Sequence, residues 1–150
     1  MLELYVKIKK CSTEALFTTN WLKSLKQKWF WCHKISDWWI WLKPFDWIIQ
    51  TNINNYFFEA KRIEKDIFKL NQIRENQRAS FHKISNIENK CEIYSLKENE
   101  IENLKNKSCL FIIFQKDTEN YIIIPFVELA LLWYNSKIKI DFQNKKYISQ

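Results

Sequence analysis

Glycine is absent from all 150 residues of the chain. It is the one residue that enters left-handed backbone without steric cost, so its absence leaves every tight turn to residues that tolerate that geometry less well. Turns with positive φ are therefore expected to fall to Asn or Asp, and the Asn52, Asn54, Asn55 run suits that role. The same absence excludes glycine-built phosphate cradles of the P-loop and dinucleotide types. A chain of this length forms a single domain, residues 1–150, and 47% apolar residues are enough for a sizeable core.

The 24 Lys and Arg outnumber 17 Asp and Glu, a net charge of +7 that favours a polyanionic partner. The opening MLELYVKIKK lacks the apolar core of a secretion signal, and no uncharged apolar run approaches the roughly 18 residues of a spanning helix. The expectation is a soluble cytoplasmic protein with no membrane partner. Cys11, Cys32, Cys91 and Cys109 form no CxxC pair, and His33 and His82 are lone histidines, so buried free thiols explain the cysteines better than zinc does.

Residues 12–28 read as an amphipathic helix. Ser12 or Thr13 is its cap, Glu14 lies in the first turn, lysines crowd the far end, and Leu16, Phe17, Trp21, Leu22 and Leu25 form its apolar face. The segment before it, residues 4–8, is a short strand or an ordered arm. Residues 29–49 carry strand-like chemistry, broken at Ser36-Asp37 and Pro44. The Asn-rich turn then leads into a short strand at residues 56–61, making a hairpin. Helices are expected at residues 70–84 and 97–107, strands at 109–114 and 121–124, and a compact helix at 127–134. The last sixteen residues alternate Lys with Ile or Phe, as a short hairpin or a peripheral basic flap. Helix, mixed sheet and helix make an α/β arrangement with helices on at least one sheet face.

Within it, YFFEAK is a hydrophobic strand that carries an acid and a lysine. Glu59 and Lys61 leave one face, while Phe58 and Ala60 point to the other. Charges on such a strand cost several kcal/mol unless they are paired or hold a metal. Asp46, at or just beyond the end of the neighbouring hairpin strand, can be brought beside Glu59 by the turn. Two adjacent carboxylates repel unless a cation lies between them, and Mg²⁺ takes such hard oxygen ligands while keeping several waters. Lys61 would then orient or deprotonate an attacking water, or neutralise charge on a phosphorane-like transition state.

The motifs KISD at 34–37, KPFD at 43–46, FFEAK at 57–61 and IRENQ at 73–77, with CLFIIF and YIIIPF after them, together resemble the PD-(D/E)xK nuclease superfamily. The likeness is greatest to RecU-like and archaeal Holliday-junction resolvases, and it runs from about Glu14 to Trp133. It implies a restriction-endonuclease-like mixed β-sheet flanked by helices and a DNA-cutting site built on Mg²⁺, with Mn²⁺ as a substitute. By that resemblance Glu14, Asp46 and Glu59 would be metal ligands, Lys61 the water-assisting amine and Gln77 a supporting side chain, with Asp37 an active-site neighbour.

Candidate phosphate contacts are Lys7, Lys9 and Lys10 in a basic N-terminal arm (residues 1–11), Lys34 and Lys43 beside the Asp-bearing strand, and Arg62, Lys65, Arg74 and Arg78 after the ExK strand. A second basic segment covers residues 135–150. Seven of the eight tryptophans fall between Trp21 and Trp47. Trp29 with Trp31, and Trp39 with Trp41, are spaced to line strand faces; most of the tryptophans are expected in the core or a dimer contact, with one or two stacking on splayed bases. A four-way junction asks for two opposed active sites, most simply from a C₂ homodimer. The resulting expectation is a Mg²⁺-dependent endodeoxyribonuclease acting on branched or duplex DNA, with a resolvase foremost. The alternatives are a restriction-like or transposon-end nuclease of the same fold and an inactive nucleic-acid-binding protein.

Overall fold

The computed structural model describes residues 2–35, 45–84, 109–132 and 137–149. Asp37, Lys43, the tryptophans at 38, 39 and 41, Cys91, the expected helix at 97–107 and the His82 side chain lie outside what is described.

The chain begins with a 3₁₀ turn at Leu2–Leu4 and an ordered extended arm. Helix α1 (Glu14–Lys26) follows, capped by Thr13, whose hydroxyl accepts the Leu16 N–H at 3.1 Å. Strands β1 (Trp31–Lys34), β2 (Trp47–Gln50) and β3 (Asn55–Ile63) form an antiparallel meander. Then come β4 (Ile67–Lys69), a 3₁₀ turn at Leu70–Gln72, helix α2 (Glu75–Ile84), β5 (Cys109–Gln115), β6 (Tyr121–Pro125), helix α3 (Phe126–Leu131), β7 (Lys137–Asp141) and β8 (Lys146–Ser149).

The main sheet has the order β1-β2-β3-β5-β6. The β3–β5 pair is parallel and its other pairs are antiparallel. Strands β4, β7 and β8 make a smaller antiparallel sheet. The result is a mixed α/β fold with a multi-stranded sheet flanked by helices, as the order of elements predicts. No helix among the described residues is long and apolar enough to cross a membrane.

Strand β5 shows why both faces of the main sheet are covered. Cys109, Phe111 and Ile113 enter a core shared with α2, α3 and the smaller sheet, while Leu110, Ile112 and Phe114 enter a second core beneath α1 and the N-terminal arm. A strand buried on both sides reads as an unbroken apolar run, as CLFIIF does. On the α1 side, Phe17 stacks on Phe114 at 4.5 Å, Trp21 packs edge-on to Phe58 at 4.7 Å, and the Trp21 indole N–H donates to the Leu4 carbonyl at 3.0 Å.

The two basic ends of the chain are tied into the fold. The Val6 carbonyl accepts from the Tyr121 hydroxyl at 2.8 Å, and Ile138 and Ile140 of β7 are buried between the exposed Lys137 and Lys139. Of the two readings of the last sixteen residues, the hairpin holds. Lys145 donates to the Tyr121 carbonyl at 2.9 Å while lying over the Tyr5 and Tyr121 rings, which draws the C-terminal hairpin toward the N-terminal arm.

The turn chemistry follows expectation at Asp117 and departs from it elsewhere. Positive φ occurs at Trp29, Asp117 and Lys145, not in the Asn52–Asn55 run. The β2–β3 turn is closed by Thr51 instead: its hydroxyl accepts the Ile53 and Asn54 N–H groups, and its own N–H reaches the Asn54 carbonyl at 2.9 Å. A hydroxyl that mimics a backbone acceptor closes the hairpin without left-handed geometry. Strand β3 is also longer than the residues 56–61 expected, because β5 pairs with it as far as Ile63.

Phe114→Ala is expected to destabilise the protein by about 3–5 kcal/mol, since it empties a fully buried ring site in the core beneath α1. Urea or guanidinium unfolding measures it, and a loss under 1 kcal/mol would contradict the packing described.

Candidate active site

Strand β3 is paired on both sides only over its first residues. The β2 register ends at Trp47↔Phe58, whereas β5 continues to Gln115↔Ile63. Continuing the β2 register by one position places Asp46 opposite Glu59, and directly opposed residues of an antiparallel pair project on the same side. A bend at Asp46 carries the chain away from β3 there, held by the Asp46 N–H to the Phe58 carbonyl at 3.1 Å and the Ile35 N–H to the Asp46 carbonyl at 2.9 Å. The second half of β3 is thus left with one edge open to groups from elsewhere.

Glu14 reaches that edge. Its Oε1 accepts the Arg62 N–H at 3.2 Å, supplying the partner that a longer β2 would have given. The Arg62 guanidinium donates to the Ser12 carbonyl at 3.0 Å and ties the start of α1 to the same place. Glu14 and Asp46 both line a cavity of about 230 Å³, with Thr18, Thr19, Lys34 and Trp47 completing its wall. That is room for several waters.

Behind Asp46 lies the buried part of the site. Glu59 and Lys61 are 5% and 7% exposed, and the Lys61 Nζ is 3.3 Å from Glu59 Oε1. Gln77, buried on α2, donates from Nε2 to the same Glu59 oxygen at 2.5 Å. Its own amide oxygen accepts the Arg74 N–H at 3.2 Å, the residue preceding the helix. That bond satisfies an otherwise orphaned helix-start N–H and orients the amide so that its NH₂ faces the carboxylate.

Both donors use Oε1. Glu59 Oε2 is buried with no hydrogen-bond partner. Burial, then the neighbouring Asp46 carboxylate, push Glu59 up to about 8, against the opposing pull of Lys61. A hydrogen bond between the Asp46 and Glu59 carboxyls adds to that upward push, so the pair has two physical resolutions: a shared proton or a cation. Among the described residues no three His, Cys, Asp or Glu side chains form a ready metal cage. The arrangement is a carboxylate pair, Asp46 and Glu59, with Glu14 on the wall of the adjoining cavity. Mg²⁺ is commonly held through only one or two carboxylates, with waters filling the rest; of this pair, Asp46 is the one that lines the cavity.

Four of the residues singled out in the sequence, Asp46, Glu59, Lys61 and Gln77, therefore meet, and Glu14 joins them through the cavity and the β3 edge. The candidate phosphate contacts are more scattered. Lys34 lines the cavity, and Arg62 meets the cavity residue Glu14 through its backbone N–H. Lys7, Lys9, Lys10, Lys65 and Arg74 are exposed, while Arg78 is paired with Glu75. Thr18, Thr19 and Trp47 are cavity residues that the sequence reading passed over. Thr18 stands one helical turn after Glu14, the spacing that places two side chains on one helix face.

No family model, curated protein or solved structure matches the chain.

A carboxyl whose pKa is raised in the folded state keeps its full contribution to stability below the unfolded value, near 4.5, and loses it as pH climbs through about 8. In EDTA, wild-type thermal stability should accordingly fall between pH 5 and pH 9. Glu59→Gln, which mimics the protonated form, should flatten that decline and exceed wild type at pH 8 by on the order of a few kcal/mol. Parallel melting-temperature profiles for the two proteins would show that Glu59 ionises without cost.

Proposed function

We propose that the chain is a Mg²⁺-dependent, structure-selective endodeoxyribonuclease of the restriction-endonuclease-like PD-(D/E)xK type, resolving four-way DNA junctions. The observation that carries this reading is the orphaned buried Oε2 of Glu59 in a carboxylate beside that of Asp46, with Lys61 3.3 Å from the other oxygen, Oε1, and with Asp46 also lining a cavity that has room for several waters. Supporting it is the convergence of Glu14, Asp46, Glu59, Lys61 and Gln77, which come from α1, the bend before β2, β3 and α2, around the second half of β3.

In this reading Asp46 and Glu59 hold the ion, and Glu14 holds the β3 edge while adding negative charge to the cavity wall. A divalent ion bound there supplies a water of lowered pKa and charge stabilisation at the phosphoryl oxygens. Gln77 locks the Glu59 rotamer so that Oε2 stays directed away from its donors. Lys61 balances the carboxylate pair and is placed to orient a water. Direct hydrolysis fits better than a covalent intermediate. The cavity hydroxyls of Thr18 and Thr19 are turned back onto the helix carbonyls of Glu14 and Ala15, at 2.8 and 2.9 Å, and neither stands beside a base.

Lys34 and Arg62 sit where phosphates flanking the scissile bond would pass, and the net charge of +7 suits a DNA partner. The two-fold symmetry of a four-way junction calls for two copies acting on opposed strands, a C₂ homodimer. The same site on a linear-duplex nuclease would differ only in the DNA it accepts.

Incubating wild-type protein with a mobile four-way junction, a linear duplex and a flap, with and without Mg²⁺, tests the assignment. Paired symmetrical nicks in the junction, dependent on Mg²⁺, are expected. Asp46→Asn, Glu59→Gln and Lys61→Met should each lower the rate at least about 100-fold while leaving junction binding in EDTA intact. Binding without cleavage by the wild-type protein would assign an inactive nucleic-acid-binding role instead.

A further inference from the structure

The smaller sheet turns one face inward and leaves the other to solvent. Phe68, Ile138 and Ile140 enter the core shared with α2 and α3, and the Tyr147 hydroxyl donates to Glu128 of α3 on the same side. Side chains alternate along a strand, so the register assigns Lys69 of β4, Lys137 and Lys139 of β7 and Lys146 of β8 to the outer face. All four are exposed. Ile148 shares that face and is 60% exposed.

Charge on this face is not balanced within it. Lys69 and Lys137 stand directly opposite each other across the β4–β7 pair, with Cβ atoms roughly 5 Å apart. Like charges so opposed destabilise a sheet. Asp141 is the one acid of the three strands, and Asn144 occupies its carboxylate, through the backbone N–H at 3.1 Å and the side-chain amide at 2.8 Å. Asp66, in the bend before β4, pairs with Lys139 at 3.6 Å. Lys69, Lys137 and Lys146 form no ion pair among the described residues.

The spacing of these charges narrows what can meet them. Lys146 lies opposite Asp141, four residues along β7 from Lys137, so the two positive ends of the face are about 13 Å apart. Between them Lys139 is flanked by Ile67 and Ile148. One phosphate cannot reach both ends, and the face asks for a polymer that repeats its negative charge at fixed intervals.

We infer that this face is a second DNA contact that seats the sugar–phosphate backbone of a duplex, with phosphates at Lys69 and Lys137 and at Lys146. A strand of B-DNA carries one charge per 3.4 Å of axis, so about 13 Å spans roughly four base pairs. The choice of DNA rests on the nuclease reading. Residues 64–66 join β3, which carries Glu59 and Lys61, to β4, so the face stands at the end of the strand that bears the site. An acidic protein segment holds its charges at no fixed separation. An anionic lipid surface fits less well too, since interfacial binding draws on several bulky apolar side chains and Ile148 is the one well-exposed example here.

The test is binding of a fluorescein-labelled duplex of about 20 base pairs, two helical turns, followed by anisotropy in EDTA across a salt series. Lys69→Gln/Lys137→Gln is expected to weaken binding about tenfold at low salt and to flatten the slope of log affinity against log salt by nearly two. Lys23→Gln/Lys26→Gln, which removes the same charge from exposed positions of α1, should stay within twofold of wild type. Lys69→Gln alone should melt at or above the wild-type temperature because it relieves the opposed pair, so misfolding cannot account for lost binding. Equal losses in the two double variants overturn the inference, as does duplex binding by Lys69→Gln/Lys137→Gln within twofold of wild type. Polyglutamate and vesicles of equal parts phosphatidylcholine and phosphatidylserine are run in parallel; binding to either that needs these lysines while duplex binding does not assigns a protein or lipid partner instead. Wild-type protein that binds duplex through this face but cuts no junction in Mg²⁺ sinks the nuclease reading alone. A double variant that binds and cuts junctions as wild type does sinks this surface alone, and a wild type that binds no duplex sinks both.

Discussion

The unequal pairing of β3 is the constraint from which the rest of the site follows. A strand held by β5 as far as Ile63 is rigid along its length, yet its opposite edge is released after Phe58, where the chain bends away at Asp46. Every unsatisfied group along the released edge needs a partner. Glu14 at the start of α1 meets that need at the Arg62 N–H, and so a helix N-terminus, a strand end and an acidic bend converge on a few residues.

Electrostatics accounts for the second half of the geometry. Burying Glu59 costs several kcal/mol unless the charge is matched, and Lys61 matches it only in part, because Asp46 adds a second negative charge. Gln77 does not neutralise anything. Its part is directional: with its oxygen engaged by the Arg74 N–H, its NH₂ is committed to Glu59 Oε1. Two donors on one oxygen leave Oε2 as the acceptor without a donor, which concentrates the unmet demand for positive charge on the side of Asp46. The amide therefore decides where a cation would have most to gain. The i,i+2 spacing of Glu59 and Lys61 cannot make that choice alone.

Much of this was legible in the chain. The cap at Thr13, the hairpin through residues 51–54, the face shared by Glu59 and Lys61, and the apolar run of β5 all follow from local periodicity and turn chemistry. Asp46 beside Glu59 followed from one further assumption, that the hairpin closes in simple register. Features set by partners distant in sequence were not legible. The extension of β3 to Ile63 depends on β5, and β4 is a strand only because β7 pairs with Ile67–Lys69. Nor did the sequence say which of the tryptophans would face solvent, as Trp29 and Trp31 do. Nothing in the residue types of an edge strand announces that its outer face is uncovered.

The missing glycines return in that last feature. Among the described residues three have positive φ, and the cost at each, roughly 1–2 kcal/mol, must be offset by neighbouring contacts. At Asp117 the offset is visible: its N–H donates to the Cys11 carbonyl at 2.8 Å and seats the β5–β6 turn on the end of the arm. At Lys145 it comes from the Tyr121 carbonyl and two aromatic rings. At Trp29 the backbone N–H closes onto the Lys26 carbonyl at 3.0 Å, but the indole itself, 93% exposed, packs almost none of its area against the protein. A large side chain that strains the backbone and adds so little to the core is poorly explained by stability.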